Sequence, residues 1–282
     1  MKTIEDSIFK NEQVIFPDLE KRFREAQEDL AEYRIDIERF RKLYGDEAVD
    51  RDMSTVNHIK EKFLKTRTPE DVEAKKLAII FESVFNKHAE LSNWLGENAA
   101  LIPTSEYDDI INGVDAIAEF SEEEKNPHHL GLGVDITYSV HLKKKFQKIK
   151  EKINSGKLSE IKYFQSSNMD FTGQLSQIPG VVISASRETV KELVEFMEGK
   201  KNKELGEHFI QFQVLEEIIQ QLGVFKEYAG KVGKMDIVRK FEMTEKIIVE
   251  IYEKKKEEAK DTGKRDGSME ILTRQLESVF NE

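Results

Sequence analysis

Cysteine is absent from this chain, and proline (5) and tryptophan (1) are scarce among its 282 residues. The first absence removes disulfides, thiolate metal sites, iron–sulfur ligation and cysteine nucleophiles together, and it suits a reducing compartment. A long apolar run is also missing. The longest unbroken aliphatic and aromatic stretch is Leu77 to Phe81, far short of the roughly 20 residues that span a bilayer. Met1 is followed by Glu5 and Asp6 rather than by a basic start and an apolar segment, and no Asn-x-Ser/Thr acceptor occurs. The expectation is a cytoplasmic protein with no membrane partner. Positive charge is in deficit: 44 Lys plus Arg against 55 Asp plus Glu, a net −11. That argues against a generally basic nucleic-acid coat, although a local basic patch is compatible with an acidic mean.

Several motifs are missing as well. Gly131-x-Gly133 has Ile136 where a dinucleotide fingerprint needs its third glycine, and Gly156-Lys157 and Gly199-Lys200 lack the rest of a phosphate loop. There is no His-Glu-x-x-His and no Gly-x-Ser-x-Gly. His128-His129 without soft neighbours is weak ground for zinc, and His88 on an apolar helix face reads as a core histidine.

What is present, 38% hydrophobic and 35% charged, is enough for one large domain or two small ones. Leu19, Phe23, Ala26, Leu30, Tyr33, Ile37, Phe40 and Tyr44 alternate spacings of four and three, predicting one helix from Pro17 to Gly45. A second helix over about 47–65 completes an expected N-terminal helical hairpin, residues 1–66. Thr68-Pro69-Glu70-Asp71 starts a further helix that carries Glu82 and runs to about Leu95. The period then changes to two, giving strands at Ala99–Pro103, about 107–120, 130–139 and 161–165, a helix over about 141–154, and a β-branched strand at 178–184 leading into a Ser186-capped helix. The fold class expected is α/β and helix-rich, with a small mixed sheet of about five strands. This core spans 67–200, two long helices pack on it over 201–260, and a joint and tail helix occupy 261–282.

One constellation carries chemistry. Residues 104–124 hold eight acids and no Lys or Arg, whereas 141–164 hold eight lysines against Glu151 and Glu160. Asp115 and Asp135 each follow Gly-Val inside an apolar strand, where a carboxylate costs several kcal/mol unless it is paired or binds a cation. On antiparallel neighbouring strands the two come within reach of each other. Two carboxylates with oxygen-only neighbours suit Mg²⁺ or Mn²⁺. Thr137 projects to the same side of its strand and is placed to hydrogen-bond a carboxylate or a water.

The order helix, three strands, helix, strand resembles the core of the PD-(D/E)XK nuclease superfamily over roughly residues 75–185. Asp115 matches the family's first acid, Asp135-Ile-Thr137 occupies its acid-x-lysine motif, and Glu82 falls where many members carry an extra metal-binding glutamate. The resemblance implies a metal-dependent nuclease in which Glu82, Asp115 and Asp135 hold the ion. Thr137 stands where the family has its lysine; some relatives move that lysine to the adjoining helix, which brings in Lys143, Lys144 or Lys145 by analogy. The basic 141–157 segment, with Lys143, Lys144, Lys145 and Lys148, would hold a nucleic-acid backbone. The alternative is an inactive, nuclease-like scaffold that binds a protein partner or a second copy through its 17–65 helices.

Overall fold

The structure, a computed structural model, describes residues 18–64, 68–121, 128–136, 139–258 and 261–281, with the backbone alone at 64, 134–136 and 139–141. The fold is α/β and helix-rich. Its centre is a four-stranded mixed sheet, β1 (Ala99–Pro103), β2 (Ala116–Phe120), β3 (His128–Ile136) and β6 (Gly180–Ala185), in that spatial order. The first three form an antiparallel meander, Ala116 opposite Leu132, and β6 runs parallel to β3 with Asp135 opposite Ser184. The crossover contains helix α5 (Ser139–Asn154) and a separate hairpin, β4 (Ser159–Gln165) with β5 (Thr172–Ile178).

The fifth strand expected in this sheet has no place there, because side chains occupy the free edge. Alternate β6 residues aim their peptide groups at helix α8 (Ile210–Lys231). Gln221 accepts from Val182 N at 2.8 Å and donates to Val182 O at 2.7 Å, and Glu217 accepts from Ser184 N at 2.8 Å. The four-residue spacing of Gln213, Glu217 and Gln221 puts all three on one helix face. The opposite edge is treated likewise: Glu90 accepts from Leu101 N at 3.3 Å and Ile35 N donates to Pro103 O at 3.4 Å. Buried polar backbone is thereby satisfied without another strand.

The N-terminal region is helical but not in one piece. Helix α1 covers Leu19–Tyr33 and ends at Arg34, whose extended backbone (ψ 142°) breaks the seven-residue seam. A 3₁₀ turn (Ile37–Phe40) and the short α2 (Arg41–Tyr44) follow, then α3 (Asp46–Leu64), close to its expected bounds. Helix α1 packs on α4 (Pro69–Leu91), while α2 and α3 meet the segment that follows β1. The Thr68–Asp71 capping box forms as the sequence predicts. A cluster around Lys162 fixes α2 and α3 to β4: its ammonium lies 2.5 Å from Asp52 and 5.5, 5.4 and 5.3 Å from the ring centres of Tyr44, Tyr107 and Tyr163.

The main core joins Phe81 and Phe85 of α4 to Ala118, Leu130, Leu132 and Ile183 of the sheet and to the C-terminal helices. Those helices are α6 (Arg187–Glu198), the short α7 (Asn202–Gly206), α8, α9 (Met235–Glu258) and α10 (Gly267–Phe280). Helix α10 docks on the chain's own body, with the Phe280 ring 5.0 Å from Phe225. The segment expected as a joint is anchored as well: Arg265 bonds Glu216 at 2.6 Å and Asp261 at 2.8 Å. Among the described residues, no helix is long and apolar enough to cross a membrane.

Candidate functional site: a carboxylate cluster at the end of the sheet

Three carboxylates from three elements meet where β1 ends and β2 begins. Asp115 is held by its backbone. Its N–H donates to Leu132 O at 2.9 Å, its carbonyl accepts from Thr104 N at 3.0 Å, and Thr104 Oγ1 bonds Val114 O at 2.6 Å. Only 8% of the residue is exposed. Facing it across the β2–β3 ladder is Gly133, where a Cβ would sit 4.0 Å from Asp115 Oδ2. The absence of a side chain there leaves room in front of the carboxylate.

Asp109 comes from the start of the 107–120 stretch expected to be strand, at the Asp108-Asp109 pair whose residue types predict a turn. Residues Asp108–Asn112 instead form a π-helical turn, closed by Gly113 in the left-handed region (φ 70°). Asp108 sets this turn from inside. It is fully buried and accepts from Ser105 Oγ at 2.8 Å, Asn112 Nδ2 at 2.7 Å, Lys162 N at 2.8 Å and Tyr163 N at 3.1 Å. Asp109, the next residue, is thereby turned toward Asp115, within hydrogen-bonding reach.

Glu82 arrives from α4 and is 2% exposed. Arg34, just past the end of α1, joins the cluster from a fourth direction, with Nη2 at 3.2 Å from both Glu82 Oε1 and Asp109 Oδ2. Burial works against the arginine's charge, yet the Glu82 and Asp109 carboxylates outweigh it and hold the guanidinium above its ordinary pKa. The acids divide. Burial, then repulsion from Asp115, pushes Glu82 up to about 8 despite Arg34. Burial also raises Asp109, but Lys75, Arg34 and the Asp115 hydrogen bond more than offset it, leaving Asp109 below its usual range. The cluster therefore holds carboxyls of opposite protonation tendency side by side.

The sequence-derived candidates fall as follows. Glu82 and Asp115 are in the cluster. Asp135 lies in β3 two residues beyond Gly133, with its side chain outside the described residues, as is Thr137 altogether. Lys143, Lys144, Lys145 and Lys148 lie on α5, where Lys144 and Lys148 are exposed and Lys143 and Lys145 are partly covered. The basic run is less available than its composition suggests. Lys150 bonds Val279 O at 2.6 Å, Lys152 bonds Ser159 Oγ at 3.3 Å, and Lys162 is held by Asp52. Arg34, Lys75 and Asp109 were not expected in the site; only the eight-acid run signalled Asp109.

The donor set fits a small hard cation, being carboxylate oxygens only, crowded enough to repel one another. Among the described residues, no group of three His, Asp or Glu side chains is already arranged to hold a metal; Arg34 supplies the counter-charge there. No protein-family model, curated protein or solved structure matches this chain.

Proposed function

We propose that this chain is a metal-dependent phosphodiester hydrolase of nuclease type, acting on nucleic acid at the Glu82–Asp109–Asp115 cluster. The observation that supports it is the meeting of the Glu82, Asp109 and Asp115 carboxyls beside Arg34, near the β3 position of Asp135. Glu82, Asp115 and Asp135 would hold Mg²⁺ or Mn²⁺. Such an ion, when bound, lowers the pKa of a water and offsets charge developing on a phosphate. The chain's own groups position and balance. Asp109 stays ionised beside Lys75 and Arg34, and those two cations offer the positive charge that Thr137 does not. The main sheet joins its three-stranded meander to the parallel β6 through a crossover that holds α5 and the β4–β5 hairpin. Exposed Lys144 and Lys148 are available for backbone phosphates.

The test is cleavage of labelled single- and double-stranded DNA and RNA with Mg²⁺ or Mn²⁺, comparing wild type, Asp115→Ala and Glu82→Gln. Metal-dependent cutting lost in Asp115→Ala is the expected result. Wild type inert on all four substrates, together with silent Mn²⁺ calorimetry, would overturn the reading. It would favour the second one, an inactive scaffold, for which the relevant observation is that Arg34 already bonds two of the carboxyls.

A further inference from the structure

Helix α8 begins without an ordinary cap. Phe209 stands at its N-cap position and makes no side-chain capping bond, so the first amides of the helix must be satisfied otherwise. His208 satisfies one of them: its Nδ1 accepts from Ile210 N at 3.2 Å. An imidazole nitrogen that accepts carries no proton, which puts the hydrogen of the neutral ring on Nε2. The residue is interior, 4% exposed, with the Phe209 and Phe196 ring centres 4.5 and 6.0 Å from its own. Nε2 is buried and makes no hydrogen bond. Glu192 Oε2 of α6 lies 3.6 Å from it, and Lys264 holds that same oxygen at 3.3 Å. One turn into α8, Gln213 grips the segment that precedes α10, accepting from Asp266 N at 2.8 Å and donating to Asp266 Oδ1 at 3.0 Å. Asp266 in turn accepts from Ser186 N at 2.7 Å and Thr189 Oγ1 at 2.6 Å. The ring therefore sits where α6, α8 and the start of α10 are fastened together.

The geometry points to His208 as an acid-operated latch on the start of α8: proton uptake at Nδ1 turns the acceptor of Ile210 N–H into a second donor and releases the first turn of the helix together with the Asp266 anchor that Gln213 holds. With one hydrogen already on Nε2, Nδ1 is the ring atom left to take the second. The capping bond is then lost and a charge appears in a buried place. Among the described residues, Glu192 of α6 and Asp266 ahead of α10 favour the charged ring, and Lys264 opposes it. On the ring's own stretch, Glu207 is exposed, and Lys201 lies 5.2 Å from the Phe196 ring. Burial is the largest influence and holds His208 below the ordinary histidine pKa. The sign follows. The neutral ring's contribution is complete above about 6.5 and is lost as pH falls through the lower folded value.

The experiment is an NMR titration of the His208 ring in the full chain, with amide exchange at Ile210 and Asp266, from about pH 7.5 to about pH 5. His208 is expected to titrate below 6.5, and exchange protection at both amides is expected to fall about fivefold or more as it does. In His208→Asn the side-chain oxygen takes the place of Nδ1 as acceptor for the amide two residues on and binds no proton in this range, so protection should hold. If that variant fails to fold, Glu192→Gln, at a half-buried position, removes an attraction for the charged ring and should move the fall to lower pH. A ring that titrates at or above 6.5, protection at Ile210 that ignores the titration, the same fall in His208→Asn, or an unmoved midpoint in Glu192→Gln would each overturn the proposal.

Discussion

Arg34 and Glu82 pair at 3.2 Å across the junction of α1 and α4, and the same guanidinium nitrogen serves Asp109. Arg34 Nε is buried with no hydrogen-bond partner among the described residues, so this arginine gives up part of its hydrogen bonding there to stay among the acids. Arg34→Met is expected to destabilise the fold by about 3 kcal/mol, because it strands buried carboxylates without a counter-charge. Adding Glu82→Gln should recover part of that loss. Urea unfolding of both variants measures it, and a double variant less stable than the single would contradict the pairing.

Burial pushes Glu217 up to about 8, above its ordinary 4.5, although Ser184 and Gln213 donate to it. Because the folded pKa is the higher one, the stabilising contribution is complete below about 4.5 and is lost as pH rises through 8. Glu82 shifts the same way. Stability should therefore fall by a few kcal/mol as pH rises from about 4.5 to about 8 and level off above that, with Glu217→Gln showing a shallower slope. An identical slope in Glu217→Gln would remove this residue from the explanation.

Asp108 accepts from two successive β4 amides as well as from Ser105 and Asn112. Asp108→Ala should cost about 3 kcal/mol by leaving buried donors unmet. Amide hydrogen exchange should quicken at Lys162 and Tyr163 in particular, since those are the two N–H groups released.

Lys144 and Lys148 are exposed, whereas Lys150 is spent on Val279 O. Reversing Lys144 and Lys148 to Glu should weaken nucleic-acid binding and make its logarithmic salt dependence shallower by about 2. Lys150→Gln should instead lower stability and leave the salt slope alone. Filter binding across a salt series distinguishes the two behaviours.

Asp115 is legible because a carboxylate after Gly-Val in strand-like sequence breaks the apolar pattern around it; Asp135 stands out for the same reason, but its side chain lies outside the described residues. Glu82 was legible only through the resemblance; periodicity placed it beside the apolar stripe and could not show that it is buried. Arg34 could not be found this way. Ile37, Phe40 and Tyr44 continue the helical spacing past it, so the break that frees its side chain is invisible to a periodicity argument. Asp109 was hidden by apolar Ile110 and Ile111, which read as strand while the backbone winds into a π-turn around Asp108. Strand β5 was missed because its sequence, Thr-Gly-Gln-Leu-Ser-Gln-Ile, is mostly polar and carries Gly173, and its partner is β4 rather than the main sheet. Long-range side-chain pairings decide these cases, and no local window contains them.

Both margins of the main sheet are occupied by the chain's own groups, Gln221 and Glu217 along β6, Glu90 and Ile35 along β1. Self-assembly by strand addition, the usual hazard of an open sheet, therefore requires one of these to be displaced first. The two margins differ in strength: β6 is gripped by a buried row on α8, whereas β1 relies on an exposed glutamate and one main-chain bond at 3.4 Å. Under partial unfolding, β1 is the side from which aggregation would begin.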